Sequence, residues 1–188
     1  MSLTFRGYDP RDADAVVALD DWAMRAAGTD PTDIPGHGDI ERIGSAYLDA
    51  GGAFLVGILD TGSEPFDTAD RDREQFETFD GPLAAMGGFL PNEAGYDDER
   101  TVGDAAELHR MRVAPPVQGR GHGTDLLGAL EERVTEAGFS RVLATTAGRQ
   151  ERAVALYHGA GYEQVDSSAY GEYDLVHFEK RLSSTGTD

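Results

Sequence analysis

The chain has no cysteine and a single lysine, Lys180, close to its C-terminal end. Without cysteine there are no disulfides, no thiolate metal sites and no thiol nucleophile, a composition compatible with the cytoplasm. A phosphate loop of the Gly-Lys-Ser/Thr kind and a Schiff-base mechanism both lack the lysine they need. Long apolar runs are missing too: none approaches the roughly 18 residues of a membrane span. The opening MSLTFRGYDPRDAD has neither the apolar core nor the small-residue cleavage site of a secretory signal. What is present is the composition of a globular chain: 188 residues, 39% apolar and 27% charged. One domain of about 150 residues or more is the expectation.

Basic charge is scarce. Thirty-five acidic residues face 16 basic ones, for a net charge of −19. Nucleic acid and anionic membrane surfaces are poor partners for such a chain. The acidic field could steer a cationic substrate. The alternative is adaptation to concentrated salt, where at about 1 M the screening length is only about 3 Å and steering fades. Many aspartates with almost no lysine and no cysteine resemble the proteins of salt-accumulating halophiles, and this second reading is preferred.

No internal repeat is apparent. Residues 3–8 read as a strand that Asp9-Pro10 ends. Ala15, Val16, Leu19, Trp22, Ala23 and Ala26 recur at helical spacing up to Gly28, and a second helix is predicted over about 39–50 with Ile40, Ile43, Tyr47 and Leu48 inward. Residues 53–59 and 83–90 read as hairpin strands around a strongly acidic surface insertion, about 61–81, and a second acidic loop runs over about 91–103. A strand at 105–113 precedes a helix at 122–137 with Leu126, Leu127, Leu130, Val134 and Ala137 on one face. A strand at 140–146, a helix at 150–159 and strands at about 162–166 and 172–181 follow, and the tail 183–188 is expected to fray. Hairpins first and strand–helix–strand units later imply an α/β fold: one mixed, mostly antiparallel twisted sheet with helices on both faces, formed by residues 1–182.

The chemistry is concentrated in Gln118-Gly119-Arg120-Gly121-His122-Gly123-Thr124, between a strand and a helix. Glycines let the backbone turn sharply and aim several N–H groups at one point, and the helix start adds its partial positive charge; together they suit a phosphate or pyrophosphate. A dinucleotide fingerprint fails, because counting six from Gly119 reaches Thr124 where glycine is required. The pattern that fits is Gln-x-x-Gly-x-Gly at Gln118, Gly121 and Gly123. With Met111-Arg112-Val113 before it, Thr145-Thr146-Ala147-Gly148-Arg149-Gln150 after it, and the Ala-Leu-Tyr-x-x-x-Gly-Tyr run at 155–162, the segment 104–166 resembles the GNAT superfamily of acyl-CoA-dependent N-acetyltransferases. The element order of residues 3–90 is consistent with it.

The resemblance implies splayed central strands with acetyl-CoA between them. The backbone of Met111, Arg112 and Val113 would lie along the pantetheine arm. Gln118, Gly119, Arg120, Gly121, His122, Gly123 and Thr124 would hold the pyrophosphate. His122 stands where the family usually has an aliphatic residue; it either meets the phosphates or lies on the surface. The family's asparagine further on is missing, with Gln150 and Glu151 in that region. Tyr157 matches the family's general acid, against the reading of a core tyrosine sharing a face with Ala153 and Leu156. Glu107 is the first candidate for general base and His109 the second. By period-two counting they share a side of their strand, unless a bulge shifts the phase. About 22–45 would wall the site of a small-molecule or peptide amine, and homodimerisation follows by family analogy. A non-catalytic acyl-CoA-binding regulatory module is the competing reading. The five histidines show no metal spacing, so no metal is expected.

Overall fold

The computed structural model describes residues 2–33, 36–60, 62, 66–69, 71–94 and 100–183. The elements in chain order are β1 (Leu3–Gly7), α1 (Ala13–Ala26), β2 (Ala53–Leu59), β3 (Glu77–Thr78), β4 (Gly81–Pro91), β5 (Ala105–Val113), α2 (His122–Glu136), β6 (Arg141–Ala147), α3 (Glu151–Gly159), β7 (Glu163–Tyr170) and β8 (Tyr173–Arg181). The strands form one sheet in the order β1-β2-β4-β5-β6-β8-β7, with β3 paired to β4. Every pairing is antiparallel except β5–β6. That parallel pair needs a crossover connection, and α2 supplies it.

Side chains alternate between the two faces of a strand, so β2 feeds two cores. Phe54, Val56 and Ile58 pack with Ala15, Val16, Leu19 and Trp22 of α1. Leu55 packs with Leu126, Leu127, Leu130 and Val134 of α2 and with Tyr157 of α3. Helices therefore cover both faces, as the element order implies. Asp9-Pro10 does more than end β1. The Asp9 side chain accepts from the Arg11 amide and Asp12 accepts from the Asp9 amide, a reciprocal cap that launches α1.

Two expectations are corrected. Residues 39–50 do not form a regular helix: a 3-10 stretch, His37–Arg42, leads into a π turn, Gly44–Leu48. Ile40, Ile43 and Tyr47 are buried as expected, but the change of pitch rotates Leu48 outward, where it is 44% exposed. Within the acidic stretch 61–81, Phe66 and Phe76 are buried and pack on Trp22 at ring distances of 6.1 and 4.9 Å. The stretch thus contributes to the core of α1 as well as to the surface. Residues 184–188 of the expected frayed tail lie outside the described residues.

Long-range charge pairs tie the layers together. The sole lysine, Lys180 of β8, reaches both oxygens of Glu131 on α2 at 2.9 and 2.8 Å, and the Tyr162 hydroxyl donates to the same carboxylate. Arg6 forks between Asp12, which is fully buried, and Asp80, with four N···O distances of 2.7–2.9 Å. Arg6→Met would leave the Asp12 carboxylate buried without that cation, and is expected to cost about 3 kcal/mol in chemical denaturation. Arg6 also holds the Asp80 carboxyl down to about 2. A depressed carboxyl stabilises the fold above its ordinary value of 3.8 and loses that contribution as pH falls toward 2, so the Arg6→Met deficit should shrink across that interval.

Candidate active site

The site begins where β5 and β6 part. They pair only over Ala105–Leu108 with Arg141–Ala144, whereas β6 stays paired to β8 through Ala147. The cause is a bulge in β5. His109 opposes Gly88 and Arg112 opposes Met86, so Arg110 and Met111 together face Gly87. Arg110 takes a left-handed conformation, φ 56°. A bulge bends its strand and strengthens its twist, which carries residues 109–113 away from β6. The bulge lies after both Glu107 and His109, so the period-two count between them survives.

Alternation settles which way the polar groups of β5 point. The Ala114 amide donates to the Ala84 carbonyl on β4. Residues 112 and 114 therefore face β4, and the backbone groups of Met111 and Val113 face the gap. Two side chains already meet carbonyls there: Gln118 Nε2 donates to Val113 O at 2.9 Å and Arg112 Nη1 to Met111 O at 3.0 Å. Gln118 in turn accepts from Arg152 of α3.

At the end of the gap the chain turns through Gly119 and Gly121, with φ of 75° and 92°. Only glycine takes such values without strain in a tight turn, and the turn points the start of α2 into the opening. The first helical amide to find a carbonyl is that of Asp125, on Gly121. The amides of His122, Gly123 and Thr124 are thus without partners inside the helix, and no side chain caps them. They border a cavity of 790 Å³ whose walls include Met111, Val113, Gln118, Arg149, Arg152 and Leu156.

His122 is not on the surface. It is 4% exposed and lines this cavity, with both ring nitrogens buried and without hydrogen-bond partners. The helix start is wedged between α3 and β5: a Cβ on Gly123 would stand 3.7 Å from Leu156 and 4.0 Å from Val113. Arg120, by contrast, is exposed and is not part of the cavity wall. Gln150 lines the cavity too, held by the Thr146 hydroxyl at 3.3 Å.

Tyr157 is packed in the core beside the bulge. Its ring is buried against Tyr162 and Phe178, each 5.3 Å away, and its hydroxyl lies 3.6 Å from Met111 Sδ at the bulge. Burial, reinforced by the nearby Glu107 charge, pushes the phenol well above its ordinary value of 10. Glu107 is 1% exposed. Its carboxylate accepts from Thr145 Oγ1 at 3.0 Å and lies 3.4 Å from Asn92 Nδ2. His109 is buried too, with its ring edge-on to Tyr47 at 6.1 Å.

Several residues of this neighbourhood carry no local signal in the sequence. Asp20 of α1, almost fully buried, accepts from Arg112 Nε at 2.9 Å and bonds His37 Nε2 at 3.0 Å. Asp39 accepts from Arg110 and from the Tyr47 hydroxyl. Met24 and Ala27 line the cavity, and Arg149 reaches Thr29 while its guanidinium lies 4.5 Å over the Tyr173 ring. Among the described residues no helix is long and apolar enough to cross a membrane, and no three histidine, aspartate or glutamate side chains cluster as metal ligands would.

Comparison with known proteins agrees with this geometry. The sequence model of the acetyltransferase (GNAT) family matches residues 60–162. An uncharacterized N-acetyltransferase of Escherichia coli (strain K12), YjgM, is 28% identical over 88 residues, which are 47% of this chain and 49% of that protein. The match thus spans about half the length of that relative. A GNAT-family acetyltransferase from Staphylococcus aureus superposes with a TM-score of 0.70 at 15% identity, covering 97% of this chain and all of that one. The Salmonella typhimurium protein yncA, solved with its cofactor acetyl-CoA, superposes with a TM-score of 0.64 at 17% identity, covering 100% of this chain and 98% of that one. At these identities the two structures speak for the fold alone.

The raised Tyr157 phenol gives a direct check. In ultraviolet difference titration of wild type against Tyr157→Phe, no phenolate signal should be missing from the variant around pH 10, where an exposed tyrosine ionises at about that value. A lost signal there would show Tyr157 to be accessible.

Proposed function

Since the chain belongs to the acetyltransferase (GNAT) family, whose chemistry is acyl transfer from acetyl-CoA, we propose that it is an N-acetyltransferase acting on a primary amine by direct attack in a ternary complex. The observation that carries this reading is the parting of β5 and β6 beside unpartnered helix amides. The gap offers an extended amide-bearing chain the edge of Met111 and Val113 that β6 does not pair. The start of α2 offers a diphosphate its N–H groups. The fit is supported by His122, which lines the cavity with both ring nitrogens unbonded and Asp125 Oδ2 3.9 Å from Nδ1. Gln118, Gly119, Gly121, His122, Gly123 and Thr124 would hold the diphosphate, and Arg120 would add charge from the rim. Gln118 and the Arg112 side chain would yield carbonyls of Val113 and Met111 to the pantetheine arm. Residues 1–182 would form the one transferase domain, with about 61–81 as its acidic insertion.

Acetyl-CoA supplies the activated acetyl group; the chain supplies positions and protons. A primary amine near pKa about 10 is mostly charged at neutral pH and must lose a proton to attack, and a thiol leaving near pKa about 8.5 must gain one. Glu107, buried beside the gap, takes the proton from the amine nitrogen. Tyr157 gives its hydroxyl proton to the departing sulfur. The phenol holds its proton at neutral pH, as a donor must, but its raised pKa makes it a weaker acid, so the transfer depends on charge developing on sulfur. The acceptor is a small-molecule or peptide amine, walled by about 22–45. The acidic surface is read as an adaptation to concentrated salt in the cytoplasm.

The deciding experiment is calorimetry with coenzyme A, followed by acetyl-CoA turnover over a panel of amino acids, polyamines and peptide N-termini. Binding with turnover is expected. Binding without turnover would leave a regulatory module, and no binding at a salt level where the protein is folded would end the assignment. Tyr157→Phe should lower kcat by about 100-fold with little change in KM for acetyl-CoA, and Glu107→Gln should abolish the acidic limb of the kcat/KM profile. Thermal unfolding should show rising stability with salt beyond physiological strength; a maximum below it would remove the halophile reading.

A further inference from the structure

A base buried as deeply as Glu107 must pass its proton on before the next turnover. The amine and acetyl-CoA would close the front of the gap, so a route behind the carboxylate is needed. The sheet provides one. Thr145, the first residue of β6 beyond its pairing with β5, puts Oγ1 3.0 Å from Glu107 Oε1 and 2.9 Å from His177 Nδ1 on β8. His177 is 3% exposed, and its Nε2 lies 2.8 Å from Ser168 Oγ on β7. Ser168 is exposed. Four side chains on four adjacent strands, β5-β6-β8-β7, thus join the carboxylate to bulk water. We infer that Thr145, His177 and Ser168 form a proton relay that empties Glu107 to solvent through the outer strand; the inference rests on Glu107 being the base.

Hydrogen-bond bookkeeping fixes the direction. An ionised carboxylate only accepts, and a threonine hydroxyl has one proton to give. With Glu107 ionised, Thr145 donates to Oε1, His177 must donate from Nδ1 to Thr145 Oγ1, and Nε2 accepts from Ser168. Once Glu107 has taken the amine's proton the chain reverses. His177 first shifts its proton from Nδ1 to Nε2 with water as the carrier, and the Thr145 hydroxyl turns toward the bare Nδ1; Glu107 then gives its proton to Thr145 Oγ1 and Thr145 gives its own to Nδ1. With Nδ1 protonated, Nε2 gives its proton to Ser168 Oγ and Ser168 gives its own to water, which leaves His177 neutral with its proton on Nδ1. One proton enters at Glu107 and one leaves at Ser168, and the chain ends as it began, with Glu107 ionised and His177 protonated on Nδ1.

The neutral His177 tautomer is read on the protein alone by nitrogen-15 imidazole NMR, with His177→Gln as the assignment control. The Nδ1–H form is expected in wild type and in Thr145→Ser. The Nε2–H form would break the chain and overturn the relay, whichever amine is the acceptor. With the amine that turns over in the panel, Thr145→Val, which keeps shape and loses the hydroxyl, should lower kcat at least about tenfold, whereas Thr145→Ser should stay within about twofold of wild type. A packing role predicts the reverse order and overturns the proposal. His177→Ala should be slow and regain rate in proportion to added imidazole; a folded variant that imidazole does not rescue also overturns it. An unchanged pH profile in Glu107→Gln removes the base and the relay together. An impaired Glu107→Gln beside an unimpaired Thr145→Val removes the relay alone.

Discussion

The constraint on which the site depends is a bend in one strand. β5 is held on one side by β4 along its whole length and on the other by β6 for only four residues. The bulge at Arg110 and Met111 inserts an extra residue against β4, and β5 turns away from its parallel neighbour just past His109. Gly87 makes room for this. A Cβ there would stand 3.1 Å from Met111 Cγ and 3.2 Å from Leu130, so a side chain would press the bulge back. Buried polar groups then hold the bent half in place from the other face: Asp39, itself bonded by the Tyr47 hydroxyl, on Arg110, and Asp20 on Arg112. Opening a parallel pair exposes backbone groups that must find partners. Gln118 and Arg112 serve two carbonyls here, which stabilises the gap without closing it.

The charge distribution follows the same logic. A chain of net charge −19 sets Arg112, Arg149 and Arg152 along the cavity and Arg120 at its rim. Arg112 is bound to Asp20, Arg149 to the Thr29 hydroxyl and Arg152 to Gln118. Held in this way, these cations lie beside the glycine turn that leads into α2. An anion entering there would meet the guanidinium groups of Arg149 and Arg152, although the net charge of the chain opposes it. At high ionic strength the repulsion is screened within a few ångströms, while contacts inside the cavity are screened much less.

What could be read from the sequence was local. The glycines at 119, 121 and 123 and the apolar stripe of α2 each need only their neighbours, and the mixed sheet with helices on both faces followed from the order of the elements. The bulge was foreseen only as a hazard to counting, because a left-handed arginine is imposed by the facing strand. The pairs Asp20–Arg112 and Asp39–Arg110 span 92 and 71 residues and exist only once α1 and the turn after it pack on β5. The π turn at Gly44–Leu48 kept the helical periodicity of Ile40, Ile43 and Tyr47 and so was read as an ordinary helix. Phe66 and Phe76 did leave a signal: two aromatics in a run otherwise acidic have little reason to be there unless they are buried. His122 left the opposite one, a polar residue at a position that proves to be interior.

The same sheet order explains why polar side chains cluster behind Glu107. Strands β6, β8 and β7 follow β5 in space although β7 and β8 come last in the chain, so Thr145, His177 and Ser168 meet only in the finished sheet. Thr145 sits at the fork where β6 parts from β5, and its hydroxyl reaches both Glu107 and His177 on β8. An apolar residue there would leave the buried carboxylate with one fewer donor, at a cost of about 1–3 kcal/mol. The bend that opens the front of the site and the hydroxyl that lines its back are therefore set by a single feature, the end of the β5–β6 ladder.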